Sequence, residues 1–245
     1  MSTFLQVMLA SLIVSAGGLI GVVSLVVNQQ KLRGFLILLV GLAAGALMGG
    51  AFLHLLPEAV ELLEPKTVFL VVLVSFVGFF LLEKVLQWRH CHHGVCEVHS
   101  DVGILNLIGD SIHNFLDGLI LAGAFAVDIR LGWITTLAVA LHEIPQEIGD
   151  FGVLLYAGWR KSAAIMANFA VALTAVLGAV IGYVFTAGSG AAAYLMPIAA
   201  GGFIYIAAAD LLPEIRVEKS LKKSLSSFGI FLGGLVLMYV FTFLE

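Results

Sequence analysis

The chain has 245 residues, of which 61% are hydrophobic and only 11% are charged, with a formal net charge of −4. Its mean hydropathy of +1.09 is far from that of soluble domains, in which roughly a quarter of the residues are charged. These values exclude an ordinary soluble protein, and the absence of a basic face excludes nucleic-acid binding. The sequence therefore predicts an all-α integral membrane protein.

Apolar runs of about 20 residues, bounded by charged or turn-forming residues, divide the chain into eight predicted transmembrane helices. They cover residues 4–27, 34–57, 67–88, 102–127, 131–157, 162–187, 191–215 and 227–244. The first run is too long for a cleaved signal peptide, whose apolar core spans ~7–15 residues. We expect it to remain as the first span, and we expect one transmembrane domain over residues 1–245.

The distribution of basic residues predicts the orientation, because cytoplasmic loops retain Lys and Arg. If both termini lie outside the cytoplasm, Lys66 and Arg130 are the only basic residues on the outer side. The opposite orientation would place all the others outside. We therefore expect a multi-pass protein with both termini outside the cytoplasm.

The longest polar break, residues 89–101, contains both cysteines, and the predicted orientation makes it a cytoplasmic loop. Thiolate and imidazole groups bind zinc and similar ions, so the loop is a candidate metal-receiving or regulatory segment. A solvated loop with incidental metal affinity is a comparable interpretation. The candidate ligands are His90, Cys91, His92, His93, Cys96 and His99.

The second and seventh predicted helices end on similar motifs, H-L-L-P-E at 54–58 and D-L-L-P-E at 210–214, each preceded by a Gly-Gly pair. The predicted topology places these two ends on opposite sides of the membrane. Inverted repeats of transporters have proline-bearing helices in such corresponding positions, along the transport path. A convenient interfacial helix end is the plainer interpretation, and the polar motifs described next favour the repeat. The candidate path residues are His54, Glu58, Asp210 and Glu214 at these helix ends, together with Asp110 and Asp150 of the fourth and fifth predicted helices.

The fourth and fifth predicted helices carry ionisable side chains in otherwise apolar stretches. Such a group near the bilayer centre costs at least ~2.5–3.5 kcal/mol, so a cluster of them indicates an ion path, a proton relay or a metal site. Residues i, i+3, i+4 and i+7 share one face of a helix. The fourth helix has Asp110, His113, Asn114 and Asp117 on one face. The fifth has two overlapping stripes, His142, Gln146 and Gly149 beside Glu143, Glu147 and Asp150.

In an antiparallel pair joined by a short loop, these faces meet near the middle of the membrane. Pro145 adds a further oxygen, because a proline leaves the carbonyl of Leu141 without its helical donor. Imidazoles, carboxylates and amides form a mixed nitrogen and oxygen set that suits zinc and neighbouring divalent ions. A single buried His or Asn would more often be a packing residue, but neither predicted helix has an interior Lys or Arg to pair with several carboxylates.

An intramembrane zinc hydrolase is the alternative. Zinc proteases use H-E-x-x-H, in which both histidines bind zinc and the glutamate acts as general base. Here the run 142–146 has Gln146 in place of the second histidine and has Pro145 inside the motif. We therefore favour transport and do not expect an enzyme.

These motifs resemble the Zrt/Irt-like protein (ZIP) family of divalent metal transporters, and the match extends over nearly the whole chain. The runs at 113–118 and 142–150 are similar to the family's fourth and fifth helices, and the motifs near 54–58 and 210–214 to its second and seventh. The resemblance implies eight transmembrane helices, with inverted three-helix repeats around a central pair that holds a binuclear site. It implies that His113, Asp117, His142 and Gln146 hold one metal, and that Asn114, Asp117 and Glu143 hold its neighbour. Glu143 or Glu147 could bridge the two positions.

The resemblance also implies the activity. The family moves Zn²⁺, Fe²⁺, Mn²⁺ or Cd²⁺ towards the cytoplasm, commonly as a homodimer, and we expect Zn²⁺ by alternating access. Gln146 stands where the most similar branch usually has His, which removes a nitrogen ligand. The brevity of the chain is typical of a bacterial inner-membrane member.

Overall fold

In a computed structural model, residues 2–20, 29–88, 99–186, 190–216 and 221–243 are described, and these residues form helices and no strand. We number eight helices in chain order. They are α1 (Thr3–Ser15), α2 (Gln29–Gly50, continuing to Leu62), α3 (Pro65–Trp88), α4 (His99–Val127), α5 (Ile129–Tyr156), α6 (Lys161–Ala172 and Thr174–Thr186), α7 (Ala191–Tyr205, continuing to Arg216) and α8 (Leu221–Phe241). The predicted all-α class is confirmed.

Five of these helices contain segments long and apolar enough to cross a membrane, namely Leu36–Leu62, Pro65–Val85, Lys161–Thr186, Ala191–Leu211 and Ser224–Phe241. Large apolar side chains such as Phe69, Leu73 and Phe185 point outward from them. An outward apolar surface of this extent requires lipid rather than water around it. The protein is therefore a multi-pass membrane protein.

Helices α2 and α7 each contain a π-helical turn just before a proline. The sequence predicts that the second span ends at residue 57, but α2 continues through Pro57 to Leu62. A proline leaves a carbonyl of the preceding turn without a donor, and the wider turn Ala51–Leu55 comes immediately before this point. In α7 the corresponding turn is Ile206–Leu211, followed by Pro213. The two similar motifs therefore have the same local backbone.

The packing pairs are those of two related three-helix units around a central pair. Helix α2 packs on α8, and α7 packs on α3. In the central pair, α5 contacts α2 and α4 contacts α7. If α1–α3 are exchanged with α6–α8, and α4 with α5, the contact of α2 with α8 becomes the contact of α7 with α3. The contact of α5 with α2 likewise becomes the contact of α4 with α7, as expected for inverted three-helix repeats.

Asp128 alone connects α4 and α5. Its Oδ1 accepts hydrogen bonds from the backbone N–H groups of Arg130 and Leu131, at 2.7 and 3.2 Å, and so caps the first turn of α5. With one residue between them, the two helices run side by side in opposite directions. This turn fixes which residues of α4 face which residues of α5.

Candidate metal centre

Four side chains from α4 and α5 converge on one point. His113 and Asp117 lie one turn apart on α4, and His142 and Glu143 are adjacent on α5. His113 Nε2 lies 3.1 Å from His142 Nε2, 3.2 Å from Glu143 Oε1 and 3.7 Å from Asp117 Oδ2. His142 Nε2 lies 3.3 Å from Asp117 Oδ2 and 3.4 Å from Glu143 Oε1. We call this group the four-atom cluster.

These distances match the edges of a zinc coordination tetrahedron. Zinc binds imidazole nitrogen and carboxylate oxygen at about 2.0–2.2 Å, which gives ligand-to-ligand edges of about 3.3–3.6 Å. The five edges above range from 3.1 to 3.7 Å. Asp117 Oδ2 and Glu143 Oε1 are also buried and receive no hydrogen bond from the described residues. Two imidazoles and two carboxylates at this spacing therefore suit one divalent cation.

The surrounding protein orients these ligands. His142 Nδ1 lies 3.3 Å from the carbonyl oxygen of Ala138, and in the tautomer with the proton on Nδ1 this contact is a hydrogen bond that leaves Nε2 for a metal. Asp117, His142 and Glu143 are each 1% exposed, whereas the side chain of His113 is 17% exposed. The cluster is therefore buried on three sides and accessible beside His113.

Asn114 and Glu143 supply oxygens next to the four-atom cluster. The amide nitrogen of Asn114 donates to Asp110 Oδ1 at 2.9 Å and to the carbonyl of Asp110 at 3.2 Å. Asn114 Oδ1 and Glu143 Oε2 are buried and have no donor among the described residues. The family resemblance implies that Glu143 holds the neighbouring metal, whereas the structure has Glu143 Oε1 in the four-atom cluster.

Gln146 of α5 and Asp110 of α4 form the next polar pair along the two helices after the four-atom cluster. Gln146 Nε2 donates to Asp110 Oδ1 at 3.1 Å, although the sequence assigned Gln146 to the first metal. One turn further, Asn106 Nδ2 donates to Asp150 Oδ1 at 3.0 Å. Polar pairs therefore continue from the cluster towards the start of α4 and the end of α5.

Glu147 lies beside these polar pairs of α4 and α5. Its Oε2 accepts a hydrogen bond from Asn168 Nδ2 of α6, and both residues are fully buried. The sequence predicts Glu147 as a metal ligand and predicts no role for Asn106 or Asn168. Both are amides in apolar helices, which was the available signal, but a single buried Asn is more often a packing residue.

The residues predicted at the helix ends lie outside the four-atom cluster. His54 is buried and its Nε2 lies 3.0 Å from the carbonyl oxygen of Met238, at the contact of α2 with α8. Glu58 is half-buried, and the side chain of Glu214 is not among those described. Asp210 is exposed.

A carboxylate and a tyrosine near Asp210 were missed. Glu83 of α3 accepts a hydrogen bond from the hydroxyl of Tyr205 on α7, and its charge interacts with that of Asp210. A single Glu near the end of a predicted span resembles an interfacial charge, so no sequence pattern distinguishes Glu83 as a candidate. Residues 89–98 of the predicted loop 89–101 lie outside the described residues. His99 begins α4, and its side chain is not described.

Comparison with known proteins agrees with the geometry. Residues 87–242 match the family model of the ZIP zinc transporters. A zinc transporter ZIP13 of Pongo abelii is 34% identical over 220 residues, which cover 83% of this chain and 66% of that protein. The Homo sapiens protein of the same name is 31% identical over 260 residues, covering 83% of this chain and 70% of its own.

A zinc transporter of Schizosaccharomyces pombe is 41% identical over 148 residues, covering 55% of this chain and 32% of that protein. The chain thus spans about two thirds of the length of the ZIP13 proteins and less of the fungal one. These relatives are eukaryotic, and a bacterial origin stays a prediction. ZIP proteins are transporters and not enzymes, which disfavours the hydrolase alternative. The chain belongs to the ZIP family of metal transporters.

Proposed function

We propose that this protein imports divalent metal cations, Zn²⁺ foremost, into the cytoplasm by alternating access through the α4–α5 cluster. The observation that carries the proposal is the convergence of two imidazole nitrogens and two unpartnered carboxylate oxygens at tetrahedral spacing. Buried carboxylates without a donor need a cation or a proton. Among the described residues, no Lys or Arg side chain forms an ion pair with the cluster.

The ligand set suits an ion in transit. Structural zinc sites that retain their metal use several thiolates, whereas this cluster has none. Asn114 Oδ1 and Glu143 Oε2 are alternative oxygen ligands next to the four-atom cluster, so a metal can exchange ligands one at a time. These oxygens support a binuclear arrangement in which Glu143 bridges two positions. The same chemistry accepts Fe²⁺, Mn²⁺ and Cd²⁺.

The four-atom cluster is accessible on the side of His113, which supports a transport path on that side. His113 is the least buried member of the cluster, with 17% of its side chain exposed, and Asp210 of α7 is exposed. With outward termini, the end of α7 that carries Asp210 and Glu214 faces the cytoplasm, so Asp210 would line the inner exit. His54 and Glu58 would stand at the outer end. The resemblance further implies a homodimer in a cell membrane, the inner membrane if the source is bacterial.

Uptake into proteoliposomes tests the proposal. Metal-free vesicles containing purified protein and an internal zinc indicator are exposed to increasing external Zn²⁺. We expect saturable uptake, which both variants abolish, because Glu143→Gln replaces the charged carboxylate of the cluster by a neutral amide and His113→Ala removes one ligand nitrogen. Glu61→Gln, the same change on an exposed carboxylate of α2, is the matched control and should leave uptake unchanged.

The control also separates failure of function from failure of insertion. Normal insertion and purification of Glu143→Gln, together with uptake equal to that of the parent, would contradict the proposal. Uptake that rises linearly with Zn²⁺ without saturating would indicate a channel instead of a transporter.

A further inference from the structure

The aromatic ring of Phe203 on α7 contacts the imidazole of His142 in the four-atom cluster. The two ring centroids are 6.3 Å apart, and the ring planes make an angle of 66°. Edge-to-face contacts between aromatic rings are favourable at centroid distances of about 4.5–7 Å. Phe203 is fully buried and His142 is 1% exposed, so this contact lies inside the protein. A residue from outside the central helix pair therefore touches one of the candidate metal ligands.

Three neighbours on three helices confine the imidazole of His142. On α5 itself, Nδ1 lies 3.3 Å from the carbonyl oxygen of Ala138. On α4, the ring of His113 is 5.3 Å away, with an angle of 89° between the ring planes. On α7, the third neighbour is the ring of Phe203. A ligand ring that is already confined loses less conformational freedom when a metal binds.

Helix α2 helps to hold Phe203 in this position. A Cβ added at Gly50 of α2 would lie 3.8 Å from Phe203 Cδ2 and 3.7 Å from the Cβ of Ala138. Gly50 therefore lies against both the Phe203 ring and helix α5. The ring occupies the place where α2, α5 and α7 meet, and in a close-packed interior it cannot leave that place unless its neighbours move.

Helix α3 fixes the other side of α7. Tyr205 follows Phe203 by two residues, so the two side chains leave α7 on roughly opposite faces. The hydroxyl of Tyr205 donates a hydrogen bond to Glu83 of α3, and the Tyr205 ring lies 5.2 Å from the ring of Phe76. Helix α7 is therefore anchored on α3 at the level from which Phe203 reaches His142.

We propose that Phe203 is a positioning residue for metal binding, which holds the imidazole of His142 with Nε2 in the four-atom cluster. This inference rests on the proposed function, because it requires a metal ion at that cluster. Phe203 has no donor atom for a metal, so it acts through His142. Residues that orient a metal ligand typically change the metal affinity by about 10–100-fold. A ring contact lacks a hydrogen bond, so we expect the lower end of this range.

Cobalt titration of the purified full chain in detergent tests this inference. Tetrahedral Co²⁺ with nitrogen ligands absorbs visible light strongly, and its spectrum depends on the ligands and their geometry. Phe203→Leu and Phe203→Met both keep an apolar side chain and lose the ring. We expect both variants to bind Co²⁺ about tenfold more weakly than the parent, with a shifted or weaker visible band.

Phe125→Leu is the matched control. Phe125 of α4 is 2% exposed, and its ring makes an edge-to-face contact with Trp133 at 5.4 Å. It lies about two helical turns beyond Asp117 along α4. The control removes a buried aromatic contact of the same kind, so it should lower the thermal unfolding midpoint as Phe203→Leu does. It should keep the Co²⁺ affinity and the visible band of the parent, whereas a purely structural role of Phe203 would make the two variants alike.

A double-mutant cycle tests whether Phe203 acts through His142. In the His142→Ala background, Phe203→Leu should weaken Co²⁺ binding no further, because the ring that it positions is already absent. Parental affinity and spectrum in both Phe203→Leu and Phe203→Met, or an equal loss of affinity with and without His142, would overturn the inference. Absence of the strong band from the parent would instead contradict the proposed function.

Discussion

His113 and Glu143 lie equally far along the chain before and after Asp128, and His113 Nε2 is 3.2 Å from Glu143 Oε1. The same symmetry about Asp128 relates Asp110 to Gln146 and Asn106 to Asp150, which are hydrogen-bonded at 3.1 and 3.0 Å. The tight turn therefore sets the register of the whole polar interface. A helix rises 1.5 Å per residue, so equal distances from the turn bring residues to the same depth.

Zinc should stabilise the folded protein through the four-atom cluster. A ligand that binds only the folded state at 100 times its Kd contributes about 2.7 kcal/mol. We expect added Zn²⁺ to raise the thermal unfolding midpoint of the detergent-solubilised parent, and His142→Ala to remove most of that increase because it deletes one of four ligands. Differential scanning fluorimetry with and without a chelator measures it. An equal increase in His142→Ala would show that zinc acts elsewhere.

Gln146→His should shift the metal preference towards zinc. An added imidazole beside the cluster supplies a nitrogen ligand, which zinc accepts more readily than manganese does. The change also replaces the amide N–H group that Gln146 donates to Asp110 Oδ1. We expect the ratio of Zn²⁺ to Mn²⁺ uptake to increase in a competition assay with proteoliposomes. The conservative variant Gln146→Glu, which adds no nitrogen, should not increase it.

Gly118 should be required for close packing of α4 on α6. A Cβ added at Gly118 would lie 2.6 Å from the backbone nitrogen of Ala179 and nearer still to the carbonyl oxygen of Ala175. Backbone atoms cannot yield as a side chain can, so Gly118→Val should cost at least ~1–3 kcal/mol of folding free energy. Thermal unfolding and the yield of monodisperse protein report this loss. Gly152→Ala is the control, because nothing lies within 4 Å of its added Cβ.

Removal of residues 90–98 should alter metal release or regulation and leave saturable uptake intact. The four ligand atoms of the cluster among the described residues all come from α4 and α5. Uptake curves for the parent and the deletion variant, matched for protein incorporated into vesicles, measure the effect. Complete loss of uptake by a properly inserted deletion variant would make the segment part of the transport path.

Much of the central site follows from helical periodicity. The spacing of His113, Asp117 and their neighbours fixes one polar face of α4, and the run 142–150 does the same for α5. The short break predicted between the two helices favours an antiparallel pairing, and in the structure this break is Asp128 alone. The boundary at Pro57 was wrong because a π-helical turn, which periodicity does not reveal, carries α2 past the proline.

The sequence by itself determined the all-α membrane class, the family and the two polar faces, because apolar length and the helical repeat are local properties of the chain. Only the tertiary structure decided which atoms meet. It brought Glu143 Oε1 into the cluster, engaged Gln146 with Asp110, and gave Glu147 a partner in Asn168 of α6. These contacts depend on side-chain rotamers and on how α6 packs against the central pair, and neither is recorded in the spacing of residues along one helix.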